Sequence, residues 1–237
     1  MKKDQRPVVF YYDEVKKEWV QIDGGKVDVN KITVEVNHFT KFAVMAVSKE
    51  EEQSGSVQPI FSDISGHWAE SDIKKAAQSG IVIGYENGTF KPNSIVTRAE
   101  FVVMLMKALK PQEEAVRPTF TDSAKIGTWA QQAVGQAVQL GIVKGYPDGS
   151  FRPDAEITRA EMAVMIIKAL ALELGDNTVT SFVDDAEIPG WAKGQVAVLK
   201  NLGLISGKGN NEFAPNDKAT RAEAVTILLK MITQKSK

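Results

Sequence analysis

The sequence predicts a mainly α fold: one compact, three-lobed helical domain over about residues 59–235, preceded by a short β-rich segment. Three observations carry this. Four landmarks recur in the same order three times, the segment after the last landmark of each set is apolar on nearly every face, and residues 1–47 read as short strands instead.

The landmarks are an aromatic-x-acid start, a Trp-Ala pair, a glycine with two aliphatic residues, and Thr-Arg-Ala-Glu. The first set is Phe61-Ser62-Asp63, Trp68-Ala69, Gly80-Ile81-Val82 and Thr97-Arg98-Ala99-Glu100. The second is Phe120-Thr121-Asp122, Trp129-Ala130, Gly141-Ile142-Val143 and Thr158-Arg159-Ala160-Glu161. The third is Phe182-Val183-Asp184, Trp191-Ala192, Gly203-Leu204-Ile205 and Thr220-Arg221-Ala222-Glu223. The tryptophans lie 61 and 62 residues apart, as do the arginines, which sets the repeats at 59–110, 118–172 and 180–235.

Each repeat reads as helix, loop, helix. The first helix begins near the tryptophan and closes on Gly80, Gly141 or Gly203, a residue suited to the left-handed position past a helix end. Asn87-Gly88 and Pro147-Asp148-Gly149 signal tight turns, and Pro92, Pro153 and Pro215 are expected to hold the chain extended before the second helix. Thr-x-x-Glu then opens that helix as a capping box. The runs beyond it, Phe101–Met106, Met162–Ile167 and Ala224–Leu229, are apolar around the helix and must be buried. One repeat is too small to bury such a helix, so the three are expected to cover one another at a shared centre with the first helices outside.

Residues 1–47 read as the end of a truncated upstream β-rich domain, with strands at 8–12, 19–22, 31–36 and 42–47 and a turn at Asp23-Gly24-Gly25. Residues 48–58 are polar and read as a flexible linker. The formal charge of −1 gives no basic excess for nucleic acid or an anionic membrane, and no apolar run is long enough to span a bilayer. With no cysteine and only His38 and His67, no thiolate or histidine metal cluster is expected, and no cofactor is implied. Asp148-Gly149-Ser150 with Asp154 lacks the spacing of a calcium loop. No carboxylate pair reads as general acid and base, so no catalytic residue is assigned. His38-Phe39-Thr40 has the pattern of a self-cleaving His-Phe-Ser/Thr site, set against a plain strand turn.

Together, Phe-x-Asp, Trp-Ala, Gly-Ile-Val-x-Gly-Tyr, Phe-(Lys/Arg)-Pro and Ile157-Thr158-Arg159-Ala160-Glu161 resemble the surface-layer-homology (SLH) family over most of the chain. The resemblance implies a pseudo-threefold domain around a central three-helix bundle, with binding grooves between neighbouring repeats. It implies an extracellular place in the wall or S-layer of a Gram-positive bacterium. The implied ligand is a secondary cell wall polysaccharide, attached to peptidoglycan and carrying pyruvylated N-acetylmannosamine. The function expected on that basis is non-covalent wall anchoring. The alternatives are S-layer self-association, or the anchoring of an exported enzyme whose catalytic domain lies upstream.

The arginine of Thr-Arg-Ala-Glu is the residue that capping does not explain. Arg98, Arg159 and Arg221 either pair with Asp63, Asp122 and Asp184, or fork onto a ligand carboxylate with help from the helix amides. Trp68, Trp129 and Trp191 are either core anchors or faces on which a sugar ring packs. Tyr85 and Tyr146 are candidates for the same packing. Gly84, Gly145 and Gly207 are either turn residues or points of close backbone approach. These fourteen residues are the candidate carbohydrate contacts. The third repeat has Ser206-Gly207 where the others have Gly-Tyr, and its loop Gly207–Asn211 also departs, so its groove is expected to behave differently.

Overall fold

The central feature of the helical unit is a ring of three backbone hydrogen bonds. In the computed structural model the Val96 amide donates to the Ala219 carbonyl (2.9 Å), Ala219 to Ile157 (3.0 Å) and Ile157 to Val96 (3.0 Å). Each residue immediately precedes the cap threonine of its repeat, and all three are fully buried. The structure describes residues 5–13, 18–22, 26–28, 31–34, 41–48, 61–112, 115–174 and 179–235. The expected turn at Asp23-Gly24-Gly25, nearly all of the linker, and His38-Phe39-Thr40 lie outside these residues.

The chain divides into two units, 1–60 and 61–237. In the first, β1 (Gln5–Asp13) pairs antiparallel with β2 (Glu18–Gln21) and β5 (Phe42–Ser48). A separate hairpin joins β3 (Lys26–Asp28) to β4 (Lys31–Thr33). Two expectations are corrected here. The strand expected at 31–36 ends at Thr33, and β3, too short and polar to announce itself, was not anticipated. Val8 and Val9 of β1 are buried in this unit.

The second unit holds six α-helices: α1 (Glu70–Gln78), α2 (Arg98–Leu109), α3 (Thr128–Gln139), α4 (Arg159–Leu170), α5 (Gly190–Asn201) and α6 (Arg221–Lys235). The even-numbered helices form the centre. Leu105, Ile166 and Leu228 are fully buried there, and α6 packs on both α2 and α4. Each central helix also packs on the outer helix of the next repeat, α2 on α3, α4 on α5 and α6 on α1, so the ring closes.

Local chemistry fixes both helix ends. Gly80, Gly141 and Gly203 take φ of +71°, +69° and +69°. Each outer helix ends in the Schellman pattern, with Gly80 N donating to Ala77 O (3.0 Å) and Ile81 N to Ala76 O (2.9 Å) in the first repeat. Capping boxes open α2 and α4, and Thr220 with Glu223 makes the same reciprocal bonds at α6.

The aspartates of Phe-x-Asp staple the loop ahead of each central helix. Asp63 accepts from the Phe90 and Lys91 amides (both 2.7 Å), and Asp122 from Phe151 and Arg152 (2.7 and 2.8 Å). Asp184 accepts from Phe213 and Ala214 (both 2.7 Å). Lys91, Arg152 and Ala214 precede the prolines, and they stand at φ of +56°, +57° and +54° rather than in the extended conformation expected there. Two charge-assisted bonds per loop offset the cost of that left-handed residue.

This staple predicts acid sensitivity. Burial pulls the Asp63 and Asp122 carboxyls upward, but the amide bonds outweigh it and leave both below the ordinary carboxylate value. Asp185, bonded to Lys193 and Thr180, is held at about 2. A depressed folded-state pKa gives stability that is complete above the unfolded value and lost as pH falls through the folded one. Thermal midpoints are therefore expected to hold down to about pH 4 and fall steadily towards pH 2. At neutral pH, Asp122→Ala is expected to cost about 2 kcal/mol, the loss of two bonds to a charged acceptor. A flat midpoint from pH 5 to 2.5, or an Asp122→Ala variant as stable as wild type, would count against the staple.

Candidate functional site

The three arginines sit at the first position of α2, α4 and α6 and reach into the following repeat. They are 7%, 5% and 8% exposed. Arg159 donates from Nε to the Phe213 carbonyl (2.7 Å), from Nη1 to Glu223 Oε1 (2.6 Å) and from Nη2 to the Ser206 carbonyl (3.3 Å). Arg221 donates from Nε to Phe90 O (2.9 Å) and from Nη2 to Ile83 O (3.2 Å). Arg98 Nη1 stands 3.7 Å from Glu161 Oε1, and its buried Nε has no partner. Pairing with Asp63, Asp122 and Asp184 is thus corrected: those carboxylates hold loop amides, and the arginines that do meet a carboxylate meet a capping glutamate of the next repeat.

The helix amides are also engaged. Arg98 N and Ala99 N donate to Ala155 O and Pro153 O of the second repeat, and the same pattern links α4 to Asp217 and Pro215, and α6 to Ser94 and Pro92. The third amide of each helix bonds the cap threonine. In α2, α4 and α6 none of the first three amides is left to a ligand.

Trp68, Trp129 and Trp191 are 64%, 59% and 57% exposed, which overturns the core-anchor reading. The alanine after each is the buried partner: Ala69, Ala130 and Ala192 point inward, and the indoles point out. Each indole stands at a cleft lined by residues of at least two repeats. Trp191 closes a cleft of about 450 Å³ with Arg98, Tyr146, Glu161, Lys144 and Lys168. Trp68 closes one of about 440 Å³ with Arg159, Glu223, Gly207, Lys208 and Lys230. Trp129 borders one of about 400 Å³ with Lys107 and Val103.

Tyr85 and Tyr146 face the arginines, with Arg221 5.1 Å and Arg98 4.8 Å from the ring centroids. The Tyr146 hydroxyl also donates to Glu161 Oε1 (2.5 Å). Loop hydrogen bonding puts the third repeat in register: Tyr85 N bonds Thr89 O, Tyr146 N bonds Ser150 O, and Lys208 N bonds Glu212 O. Lys208 therefore occupies the tyrosine position, and Gly207 lines up with Gly84 and Gly145. These glycines have an internal reason. A Cβ would stand 2.2 Å from the Phe61 ring at Gly84, 2.7 Å from the Phe120 ring at Gly145 and 3.0 Å from the Asn211 backbone at Gly207.

Sequence reasoning missed Lys107, Lys168 and Lys230, which line the three clefts. They stand at one position of all three repeats, and that recurrence was the available signal. Burial lowers the Lys168 pKa, and nearby Lys144 and Arg98 lower it further, as expected where cations gather. Among the described residues no group of three or more His, Asp or Glu could hold a metal, and no helix is long and apolar enough to cross a membrane.

The S-layer homology domain model matches residues 60–102, 119–163 and 181–225, more than half of the chain. The chain belongs to the S-layer homology domain family. Relatives of this SLH chain include an amylopullulanase of Thermoanaerobacterium thermosulfurigenes, 36% identical over 95% of the chain and 12% of the relative. The S-layer protein EA1 of Bacillus anthracis is 31% identical over 74% of the chain and 21% of its own length. A cellulosome-anchoring protein of Acetivibrio thermocellus is 36% identical over 61% of the chain and 34% of its own length. The SLH chain thus spans about a third or less of each of these. Its three tandem SLH repeats are a bacterial cell-surface module.

Proposed function

We propose that the SLH chain anchors a protein non-covalently to the cell wall by binding an anionic secondary wall polysaccharide in the clefts between repeats. The observation that carries this is the Arg98 cleft. It joins a sugar-sized cavity, an exposed indole, a tyrosine and three cations, with a single glutamate that is already bonded to Tyr146 and Thr158. A pyruvyl ketal on N-acetylmannosamine supplies one carboxylate for the cations and a ring face for Trp191. Asp63, Asp122, Asp184, Gly84, Gly145 and Gly207 act one step back, by holding the loops that shape the clefts. The chain itself is proposed to be non-catalytic, its cargo being the protein to which it is joined.

Purified wall sacculi test the reading. The SLH chain is expected to sediment with them, to be released as salt screens the cation–carboxylate contacts, and to fail to sediment after mild acid has stripped the polymer. Undiminished sedimentation with stripped sacculi would remove the polymer as ligand. The S-layer relatives favour a second reading, assembly of SLH chains with one another. That reading requires concentration-dependent oligomers in the absence of wall.

A further inference from the structure

The Arg98 and Arg159 clefts share one plan, yet the three arginines differ in what satisfies them. Every nitrogen of the Arg159 guanidinium has a partner, one of them a carboxylate. Arg221 has two carbonyl partners and, among the described residues, no carboxylate within salt-bridge distance. Arg98 makes no guanidinium hydrogen bond among the described residues, although it is 7% exposed. A buried guanidinium without a direct hydrogen-bond acceptor loses part of what offsets its desolvation, so the Arg98 cleft lacks an acceptor that the Arg159 cleft already has.

One residue position produces the difference. In the second repeat Tyr146 takes Glu161 Oε1, while Thr158 holds Oε2 through its amide (2.9 Å) and hydroxyl (3.0 Å). The glutamate stays 3.7 Å from Arg98. In the third repeat Lys208 replaces the tyrosine and turns to Asp217 (2.6 Å), which leaves Glu223 Oε1 to close on Arg159 at 2.6 Å. Lys144 and Lys168 add two further cations to the Arg98 cleft, and neither has a carboxylate partner among the described residues. Burial pushes the Arg98 and Lys168 pKa values down, the response of cations that gain from a neighbouring anion.

Resting on the anchoring reading above, we infer that the clefts are unequal. The Arg98 cleft is the anion site and takes one sugar carboxylate on Arg98, Lys144 and Lys168, whereas Glu223 occupies the corresponding place in the Arg159 cleft and excludes an anion there. Tyr146 is the specificity-determining residue, because it keeps Glu161 off Arg98.

Calorimetric titration of the full chain with pyruvylated N-acetylmannosamine monosaccharide tests this, with sacculi sedimentation run on the same variants. Surface substitutions keep folding out of the comparison. Lys168→Ala is expected to weaken the monosaccharide by about tenfold to a hundredfold, the loss of a charge-assisted contact, and Trp191→Ala by about tenfold. The matching changes in the Arg159 cleft, Lys230→Ala and Trp68→Ala, are expected to weaken the monosaccharide by a smaller factor than their Arg98-cleft counterparts. Tyr146→Phe is expected to weaken binding with the fold intact by circular dichroism, as Glu161 moves onto Arg98. Equal losses from the Lys168 and Lys230 variants would overturn the ranking while leaving polymer binding in place. Wild-type chain that sediments with sacculi, but does so equally well as Lys168→Ala, would overturn it also. Wild-type chain that binds neither monosaccharide nor sacculi would overturn the anchoring reading beneath it.

Discussion

Arg159→Ala is expected to destabilise the helical unit by about 3–5 kcal/mol, the cost of removing one partner from a buried ion pair. Arg98→Ala, at the same position of the preceding repeat, is expected to cost about 1 kcal/mol, because it removes only cation–π contacts and a long ion pair. The Arg159 side chain joins repeats through the Phe213 and Ser206 carbonyls, and its loss strands Glu223, whose side chain is 17% exposed. Arg98 has a 3.7 Å approach to Glu161 and ring contacts at 4.8 and 5.3 Å. Urea midpoints at constant m-value separate the two. The same Arg98→Ala protein is expected to lose affinity for pyruvylated sugar. Equal midpoints for the two variants would show that the difference in hydrogen bonding does not matter energetically.

The largest effect follows from the closed ring. A chain ending at residue 179, without the third repeat, is expected to lose its cooperative thermal transition altogether. Removing residues 180–237 takes away α6, which packs on both other central helices and on α1. It breaks two of the three ring hydrogen bonds at Val96, Ile157 and Ala219. Leu105 and Ile166 would then face water where Leu228 and its neighbours had covered them. Near-UV circular dichroism and hydrogen exchange are the readouts: the shortened chain should keep helical signal but lose fixed aromatic packing and slow amides. A sharp melt in residues 1–179 would mean that two repeats suffice. The deletion also removes Trp191 from the Arg98 cleft, so ligand binding is expected to go with the fold.

Much of this architecture is legible locally. Thr-x-x-Glu, the helix-closing glycines and the apolar runs act over three to five residues, and each appears where the sequence places it. The pre-proline residues were misread because the Asp63, Asp122 and Asp184 staples come from 27 to 30 residues away and hold Lys91, Arg152 and Ala214 left-handed. The tryptophans were ambiguous because a large apolar ring next to a buried alanine looks alike from either side. Only the direction of the helix turn sends Ala130 inward and Trp129 out.

The sequence by itself determined the three repeats, their helix ends, and an arginine that capping leaves unexplained. These are consequences of spacing and of side chains that satisfy their own backbone. Tertiary structure alone decided what each arginine meets, since Arg98, Arg159 and Arg221 face groups 47 to 138 residues distant where they bond at all. Identical Thr-Arg-Ala-Glu motifs therefore differ in chemistry. One carboxylate is contested by an arginine and, in the second repeat only, by a tyrosine across the cleft, and that competition is settled by distances no repeat can encode alone.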